Sequence, residues 1–416
     1  MLSFVPTYVD WELRELARRG VALCVVLPAS FPRASMWDHI TGSDRSAEGG
    51  PGVRTADFHA WLEGPARTLA RPGSRVLARW ARRAPRTTSH LALRCLRDRT
   101  FRHFLAAGDL ADALRAQPIA RVHSHFATDA ACVGALLAEL LGVPFSVTTH
   151  AKDIFVPRFP RRLQRVLASA APAFTISHFN RAHLERTVGA STRRVHVLHL
   201  GVCLDALPHR APAADVFTIA CTASGLVDKK GVGVLVEACR LLDARGFRFR
   251  CEVCGTDPGG ERLAALRALV RESGLATLVS LHGALPWTAT QQLVARAAVF
   301  VLPSIRTAEG DMDGIPVSLI EAMGIGVPVV SSRLSGIPEL VEHGRTGLLV
   351  PPGDPAALAA AIERIARDPS LASALGSRAR QRVRDGFSLS RYVDGLLDGW
   401  SQPTPSAGRA TTRRAG

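Results

Sequence analysis

A chain of 416 residues is long for one domain and comfortable for two, and its 47% hydrophobic content suffices for substantial cores. Its formal net charge of +16 points to an anionic partner rather than to any one fold. No stretch of about 20 apolar residues, the length a membrane span needs, is free of charges or breakers; Ala130–Val147 contains Glu139 and is broken by Gly142 and Pro144.

In chain order, the first eight residues lack a basic region followed by an apolar core, so no secretory signal is expected. Trp11–Arg19 reads as a helix and Val21–Leu27 as a buried strand. Residues 33–118 read as mostly helical, and residues 67–121 carry thirteen arginines against Asp98, Asp109 and Asp112. Segments such as Arg75–Arg83 mix arginine with apolar and aromatic residues at helical spacing, the pattern of a basic helix on an anionic membrane surface. A solvated basic face has the same composition. Nucleic acid would also demand the charge, but no binding motif accompanies it, so no nucleic-acid partner is expected.

Strands are then expected at Ala120–His125, Pro144–His150, Ala173–Ser177 and Val195–Leu200, with helices over Thr128–Leu141 and near Asn180. Residues 202–215 lack periodicity and read as a linker. A second strand–helix series follows: strands at Val216–Cys221, Phe247–Cys254, Val279–His282, Val299–Leu302, Val327–Ser331 and Gly347–Val350, helices at Val232–Leu242, Gly260–Ser273 and Pro355–Ala366. Repeated strand–helix units imply parallel sheets covered by helices. The expected division is residues 1–205, residues 206–388, a C-terminal helix over 389–400, and a disordered tail, 401–416, rich in Ser, Thr, Pro, Gly and Arg.

The eight cysteines show no disulfide framework. Cys251 and Cys254 form a lone CxxC inside a strand, where alternation puts them on opposite faces, and no further zinc ligands stand at a suitable spacing. Buried free thiols in a reducing cytoplasm are the expectation. Positive charge is otherwise carried by arginine, so the three lysines, Lys152, Lys229 and Lys230, mark places where a compact ammonium is needed.

The most informative stretch follows the strand Val299–Leu302. A polar, glycine-containing loop leads to Pro316, which suits a first helical turn, and Glu321 lies about one and a half turns on. Free N–H groups and the helix dipole there suit anionic or hydroxyl-rich ligands. Asp313 and Glu321 flank this start, and eight residues of helix would separate them by roughly 12 Å.

The pattern Asp313, seven residues, Glu321-Ala322-Met323, then Gly326-Val327-Pro328 resembles the donor-sugar motif of the retaining glycosyltransferases of family 4, where the first acid is usually glutamate. The resemblance extends to Thr148–Ile154, to Asp228-Lys229-Lys230-Gly231, to the Gly283 turn and to Ser335–Glu339. It implies an α/β protein of GT-B fold, two Rossmann-like doubly wound domains facing across a cleft. The first domain would hold the acceptor and the second the nucleotide sugar.

By that resemblance His150 sits at the reacting sugar, with Asp153 orienting the acceptor or His150. Lys230 stabilises the leaving diphosphate. Asp313 binds donor-sugar hydroxyls, with backbone groups around Gly314, Ile315 and Pro316 completing the pocket, and Glu321 binds the ribose. His123 and His125 have packing or supporting roles, and Glu339 caps the helix it opens. No cofactor or metal is implied. The partners implied are a nucleotide diphosphate sugar and a glycan or lipid-linked acceptor, in the cytoplasm or at the inner membrane face. Wording around Asp313 and His150 resembles exopolysaccharide and colanic-acid-type members.

Two departures stand out. Gly225 occupies the position of the family's diphosphate-gripping arginine, for which Arg306 is a possible substitute, and weakened catalysis is the alternative reading. Thr7–Leu13 aligns with the family's first helix, which leaves no room for the first strand; the expectation is a chain start further upstream.

Overall fold

The computed structural model describes residues 7–27, 53–57, 70–189, 195–212, 215–257 and 259–402. Helix α1 (Thr7–Arg18) precedes β1 (Leu23–Leu27) and β2 (Val53–Asp57), which pair in parallel by themselves. Helices α2 (Ala70–Arg83), α3 (Pro85–Arg97) and α4 (Phe101–Leu114) follow. Next come β3 (Val122–His125), α5 (Asp129–Leu141), β4 (Phe145–Thr149), α6 (Lys152–Phe155), α7 (Pro160–Ser169), β5 (Ala173–Thr175), α8 (His178–Val188) and β6 (Val195–Val197). The strands β3-β4-β5-β6 form a parallel sheet in sequence order.

The second series runs β7 (Phe217–Thr222), α9 (Val232–Ala244), β8 (Phe249–Cys254), α10 (Glu261–Glu272), β9 (Val279–Gly283) and α11 (Trp287–Ala295). It continues with β10 (Val299–Leu302), α12 (Val317–Ile325), β11 (Val329–Ser332), α13 (Ile337–Leu340) and β12 (Leu348–Val350). Helices α14 (Pro355–Arg367), α15 (Pro369–Gly386) and α16 (Leu389–Ser401) close the chain. This sheet is parallel throughout, in the order β9-β8-β7-β10-β11-β12. The order reverses between β7 and β10, the doubly wound arrangement that opens a ligand crevice at the carboxyl ends of those two strands. Strands β10 and β11 are buried along their whole length, which explains their unbroken Val, Phe, Leu and Ser sequence in place of alternation.

The C-terminal helix does not stay with the second sheet. At its start, the bridge between Val202 and Ser388 brings the inter-sheet connection alongside. Further on, the Tyr392 hydroxyl donates to Glu12 on α1 at 2.7 Å, Gly399 packs against Phe174 of β5, and the Trp400 carbonyl accepts from Arg121 at 3.0 Å. The apolar core of the second sheet continues into Trp11, Leu16 and Phe174, so the two halves share one core.

Several expectations change. Within residues 33–118, helices cover most of the described part, with Val53–Asp57 a strand; the stretches 28–52 and 58–69 lie outside the described residues, as do residues 403–416 of the expected tail. The 18-residue helix α15 was not anticipated, because its many arginines blur the apolar stripe. In the arginine-rich region, the apolar residues that would face lipid are used internally: Val76, Trp80, Leu91 and Phe104 form a core of their own. Arginines are also spent internally, Arg79 on Asp112 at 2.9 Å and Arg94 on Glu139 at 2.6 Å. Leu93 and Leu96 on α3 are the exception, 71% and 58% exposed. Among the described residues no helix is long and apolar enough to cross a membrane. The seven cysteines whose side chains are described are free; five are buried, including both Cys251 and Cys254, while Cys132 and Cys203 are half-buried.

Gly231, between the Lys230 turn and α9, has φ +68, and a Cβ there would collide with the carbonyl oxygen of Pro303. Gly231→Ala therefore combines a left-handed backbone with a steric clash. Urea unfolding should show a loss of about 2 kcal/mol or more; a loss within about 0.5 kcal/mol, typical of a neutral surface change, would contradict this packing.

Candidate active site

The crevice between β7 and β10 gathers charge. After β7, residues Asp228–Lys230 form one tight turn whose Lys229 carbonyl accepts from Ile305 N–H at 2.9 Å, tying it to the segment after β10. Lys230 Nζ stands 3.0 Å from both carboxylate oxygens of Asp313, and the Ser304 hydroxyl donates to Asp313 Oδ2 at 3.1 Å. Lys229 Nζ reaches Asp311 at 3.1 Å. Asp313 is buried, and a buried carboxylate needs such partners. Lys152, the third lysine, is exposed on α6.

The spacing of Asp313 and Glu321 needs correction. Asp313, Gly314 and Ile315 lie in the loop, Pro316 (φ −65) is the residue just before the helix, and only Val317 onward is helical. The two acids are thus not separated by eight residues of helix. Glu321 is buried in α12 and accepts from Trp287 Nε1 at 2.9 Å and Gln291 Nε2 at 3.0 Å, both on α11. Burial pushes its carboxyl up to about 7 against the pull of those two donors. Trp11 of α1 meets Trp287 edge-on, with ring centroids 5.4 Å apart.

Across the crevice, His150 ends β4. Its N–H donates to Asp153 Oδ1 at 3.1 Å and its carbonyl accepts from Asn180 Nδ2 at 2.6 Å. Asp153 also accepts from Ala127 N–H and Ala151 N–H, each at 2.9 Å. Its carboxylate is therefore occupied by backbone N–H groups of the segments that follow β3 and β4. The His150 ring lies 3.3 Å (Nε2) from His125 Nδ1, and His125 Nε2 lies 3.2 Å from Glu12 Oε1. Burial, with the nearby His125 and His123 rings, holds the His150 imidazole well below its usual range. For Glu12, burial acts upward, but His125, His123 and Tyr392 outweigh it and leave the carboxyl lowered.

The two halves meet at this point. A Cβ on Gly314 would stand 3.1 Å from the His150 carbonyl and 2.8 Å from Ile176 Cδ1, so the loop carrying Asp313 approaches the strand end carrying His150 closely enough to require glycine. Glu339 makes a second crossing. It was expected to cap its own helix; instead it accepts from the N–H groups of His178 (2.9 Å) and Phe179 (2.8 Å) at the start of α8, and from His199 Nε2 at 3.0 Å. A carboxylate at a helix N-terminus is favoured by the dipole. Among the described residues two groups, Glu12–His123–His125 and His178–His199–Glu339, have ligand atoms close enough to hold a metal ion; in both, the carboxylate is already hydrogen-bonded to protein donors.

Comparison with known proteins gives this geometry a family. "Glycosyltransferase Family 4" matches residues 66–206 and "Glycosyl transferases group 1" matches residues 216–368. The D-inositol 3-phosphate glycosyltransferase of Pseudarthrobacter chlorophenolicus is 30% identical over 308 residues, 67% of this chain and 71% of that protein. The chain belongs to glycosyltransferase family 4. The WcaL protein of Salmonella typhimurium, assigned to colanic acid biosynthesis, is 38% identical over 219 residues, 51% of this chain and 53% of WcaL. The amylovoran biosynthesis glycosyltransferase AmsK of Erwinia amylovora is 41% identical over 39% of each chain. The chain spans about half the length of the curated relatives it matches in WcaL. The fold is GT-B: a glycosyltransferase from Rickettsia africae superposes with a TM-score of 0.70 at 15% identity, covering 95% of this chain and 96% of the other. HepE of Anabaena, crystallised with UDP and glucose, gives 0.71 at 18% identity, covering 95% of each.

Within the family 4 chain, Gly225 adopts φ +80, and its N–H donates to Thr256 Oγ1 at 2.9 Å. The position of the missing arginine is a turn that favours glycine. Arg306 is exposed, with its guanidinium beside Gly310. Sequence reasoning did not single out Glu12, Tyr8, Tyr392, Asn180, Trp287 or Gln291; they lie on other elements, and no local motif links them to His150 or Glu321.

The raised carboxyl of Glu321 makes a pH prediction. An unfolded glutamate ionises near 4.5 and the folded one near 7, so the folded chain binds the extra proton in between. Stability from this group is complete below pH 4.5 and is lost as pH rises through 7. Glu321→Gln removes the titration. Relative to wild type, the variant should gain about 3 kcal/mol between pH 4 and pH 8 in denaturant titrations; a constant difference across that range would show that Glu321 ionises normally.

Proposed function

We propose that this chain is a retaining, metal-independent glycosyltransferase. It moves a sugar from a nucleotide diphosphate sugar to a glycan or lipid-linked acceptor in cell-surface polysaccharide biosynthesis. The observation that carries this reading is the placement of Lys230 and Asp313 together at the point where the strand order of the second sheet reverses, opposite His150. Residues 1–205 would form the acceptor side and residues 206–388 the donor side. The printed roles of WcaL and AmsK in colanic acid and amylovoran biosynthesis support the polysaccharide assignment.

Lys230 would leave Asp313 for the donor diphosphate and neutralise the charge that develops as the sugar departs. Asp313, freed of its ion pair, would accept from donor-sugar hydroxyls, beside the loop Gly314–Pro316. Glu321 would accept from the ribose with the lone pairs that Trp287 and Gln291 leave unused. His150 would face the reacting sugar, with Asp153 fixing its backbone. Retention without an enzymic base follows if the departing phosphate takes the acceptor proton on the same face. The exposed Leu93 and Leu96, on the arginine-rich α3, are the surface we assign to anionic lipid at the inner membrane face.

Gly225 favours a second reading, a chain that binds a nucleotide sugar with little turnover, because glycine offers no bidentate phosphate contact. Thermal unfolding against UDP-, GDP- and ADP-sugars, followed by transfer of labelled sugar to membrane lipid extracts, separates the readings. One donor should stabilise the chain by about 2.7 kcal/mol when present at 100 times its Kd. Lys230→Ala should lower turnover roughly 100-fold or more. Stabilisation without transfer supports the second reading, and no stabilisation by any donor overturns both.

A further inference from the structure

Of the two groups of metal-ligating side chains, the one that crosses between the halves is open to an ion. In Glu12–His123–His125 the ligand atoms are engaged inside the protein. Tyr392 donates to Glu12 Oε2 at 2.7 Å, and the His123 ring nitrogens face the hydroxyls of Ser146 at 2.9 Å and Thr148 at 3.3 Å. In His178–His199–Glu339 the His178 side chain is exposed, and its ring has no hydrogen-bond partner among the described residues.

Each member of this second group comes from a different element. His178 opens α8 and His199 follows β6, both in the first half, while Glu339 lies on α13 in the second. The Glu339 carboxylate is aimed by the N–H groups of His178 and Phe179, at 2.9 and 2.8 Å. The His199 ring lies against Phe387 with centroids 4.9 Å apart, and its Nε2 stands 3.0 Å from Glu339 Oε2. The ring centroids of His178 and His199 are 5.9 Å apart, and the ligand atoms of all three residues lie within 4.8 Å of one another.

Zinc binds imidazole nitrogen and carboxylate oxygen at about 2.1 Å, so two ligands of a tetrahedral ion stand roughly 3.4 Å apart. His199 and Glu339 already meet that spacing, and the unbonded ring of His178 can close the remaining gap by rotation. A carboxylate has about four lone-pair sites. Glu339 can therefore keep both backbone hydrogen bonds while another lone pair meets the ion, and outer hydrogen bonds of that kind orient ligating carboxylates. Zinc takes the lone pair of His199 Nε2, so a proton between His199 and Glu339 passes to Nδ1 or to solvent. The neighbouring Arg382 guanidinium is already engaged, donating to the Glu339 carbonyl at 2.7 Å and pairing with Glu342 at 3.5 Å.

We propose that His178, His199 and Glu339 form a zinc site with water in the fourth position, and that the ion joins the two halves of the chain. Two imidazoles and one carboxylate suit zinc, whereas magnesium and calcium demand mostly oxygen ligands. None of the three residues has a part in the sugar transfer described above, and zinc binding here does not depend on that activity.

The test uses the full chain, stripped with a chelator, about one pH unit above the ordinary histidine pKa. Cobalt(II) should give the intense visible absorption of a four-coordinate ion, and zinc should displace it. Zinc should also raise the melting temperature, and magnesium should not. His178→Ala alters an exposed side chain, so it should fold as wild type does and bind zinc at least about 10-fold more weakly, since loss of an outer partner alone costs that much. Glu339→Gln should weaken binding to a similar degree. Absence of both the cobalt absorption and the zinc shift overturns the proposal, as does an equal response to magnesium. Unchanged affinity in His178→Ala would place the ion elsewhere. Unchanged affinity in Glu339→Gln would mean that the first half holds the ion alone, which overturns the joining of the halves.

Discussion

Parallel pairing governs where the chemistry lies. Both large sheets pair only in parallel, so each strand needs a crossover before the next, and all strands of a sheet end at one edge. His150 follows β4, Lys230 follows β7 and Asp313 follows β10 for that reason. The reversal of order in the second sheet makes β7 and β10 neighbours, which brings together residues more than 80 positions apart.

The buried carboxylates in this crevice are held by specific protein donors. Withdrawing an ion from water costs several kcal/mol even after relaxation, and each buried carboxylate has a different compensation. Asp313 has a lysine and a serine hydroxyl, Asp153 has backbone N–H groups, Glu321 has an indole and an amide, and Glu12 has a phenol and an imidazole. Of these four, Asp313 is the one paired to a lysine. Among the described residues no cation is paired with Glu321, and burial leaves its carboxyl raised to about 7.

The connection between the halves combines a greasy element and a polar one. Trp11 and Phe174 extend the second core into the first half, and α16 returns to lie on α1. Glu339 adds a carboxylate on the opening turn of α8. Helix-terminus contacts of this type are directional but worth only about 1 kcal/mol each near a surface. The apolar contacts therefore hold the halves together, and the polar ones select their orientation.

Local pattern determined much of this protein. The strands of the second series fall where runs of Val, Ile and Phe occur between turn residues, and Val299–Leu302 was located to the residue. The Lys-Lys-Gly turn and the histidine after a strand were legible because their neighbours in sequence are also their neighbours in space. Tertiary structure alone decided the rest. It showed that Asp313 stands outside the helix, that the aromatic residues of the arginine-rich region are buried in a core of their own, and that Glu339 serves a helix in the other half. It also joined Glu12, His125, His150 and Tyr392, which span nearly the whole chain. Periodicity reports only on residues within a turn or two, whereas these contacts are set by how sheets and helices pack, and no short stretch of sequence carries that information.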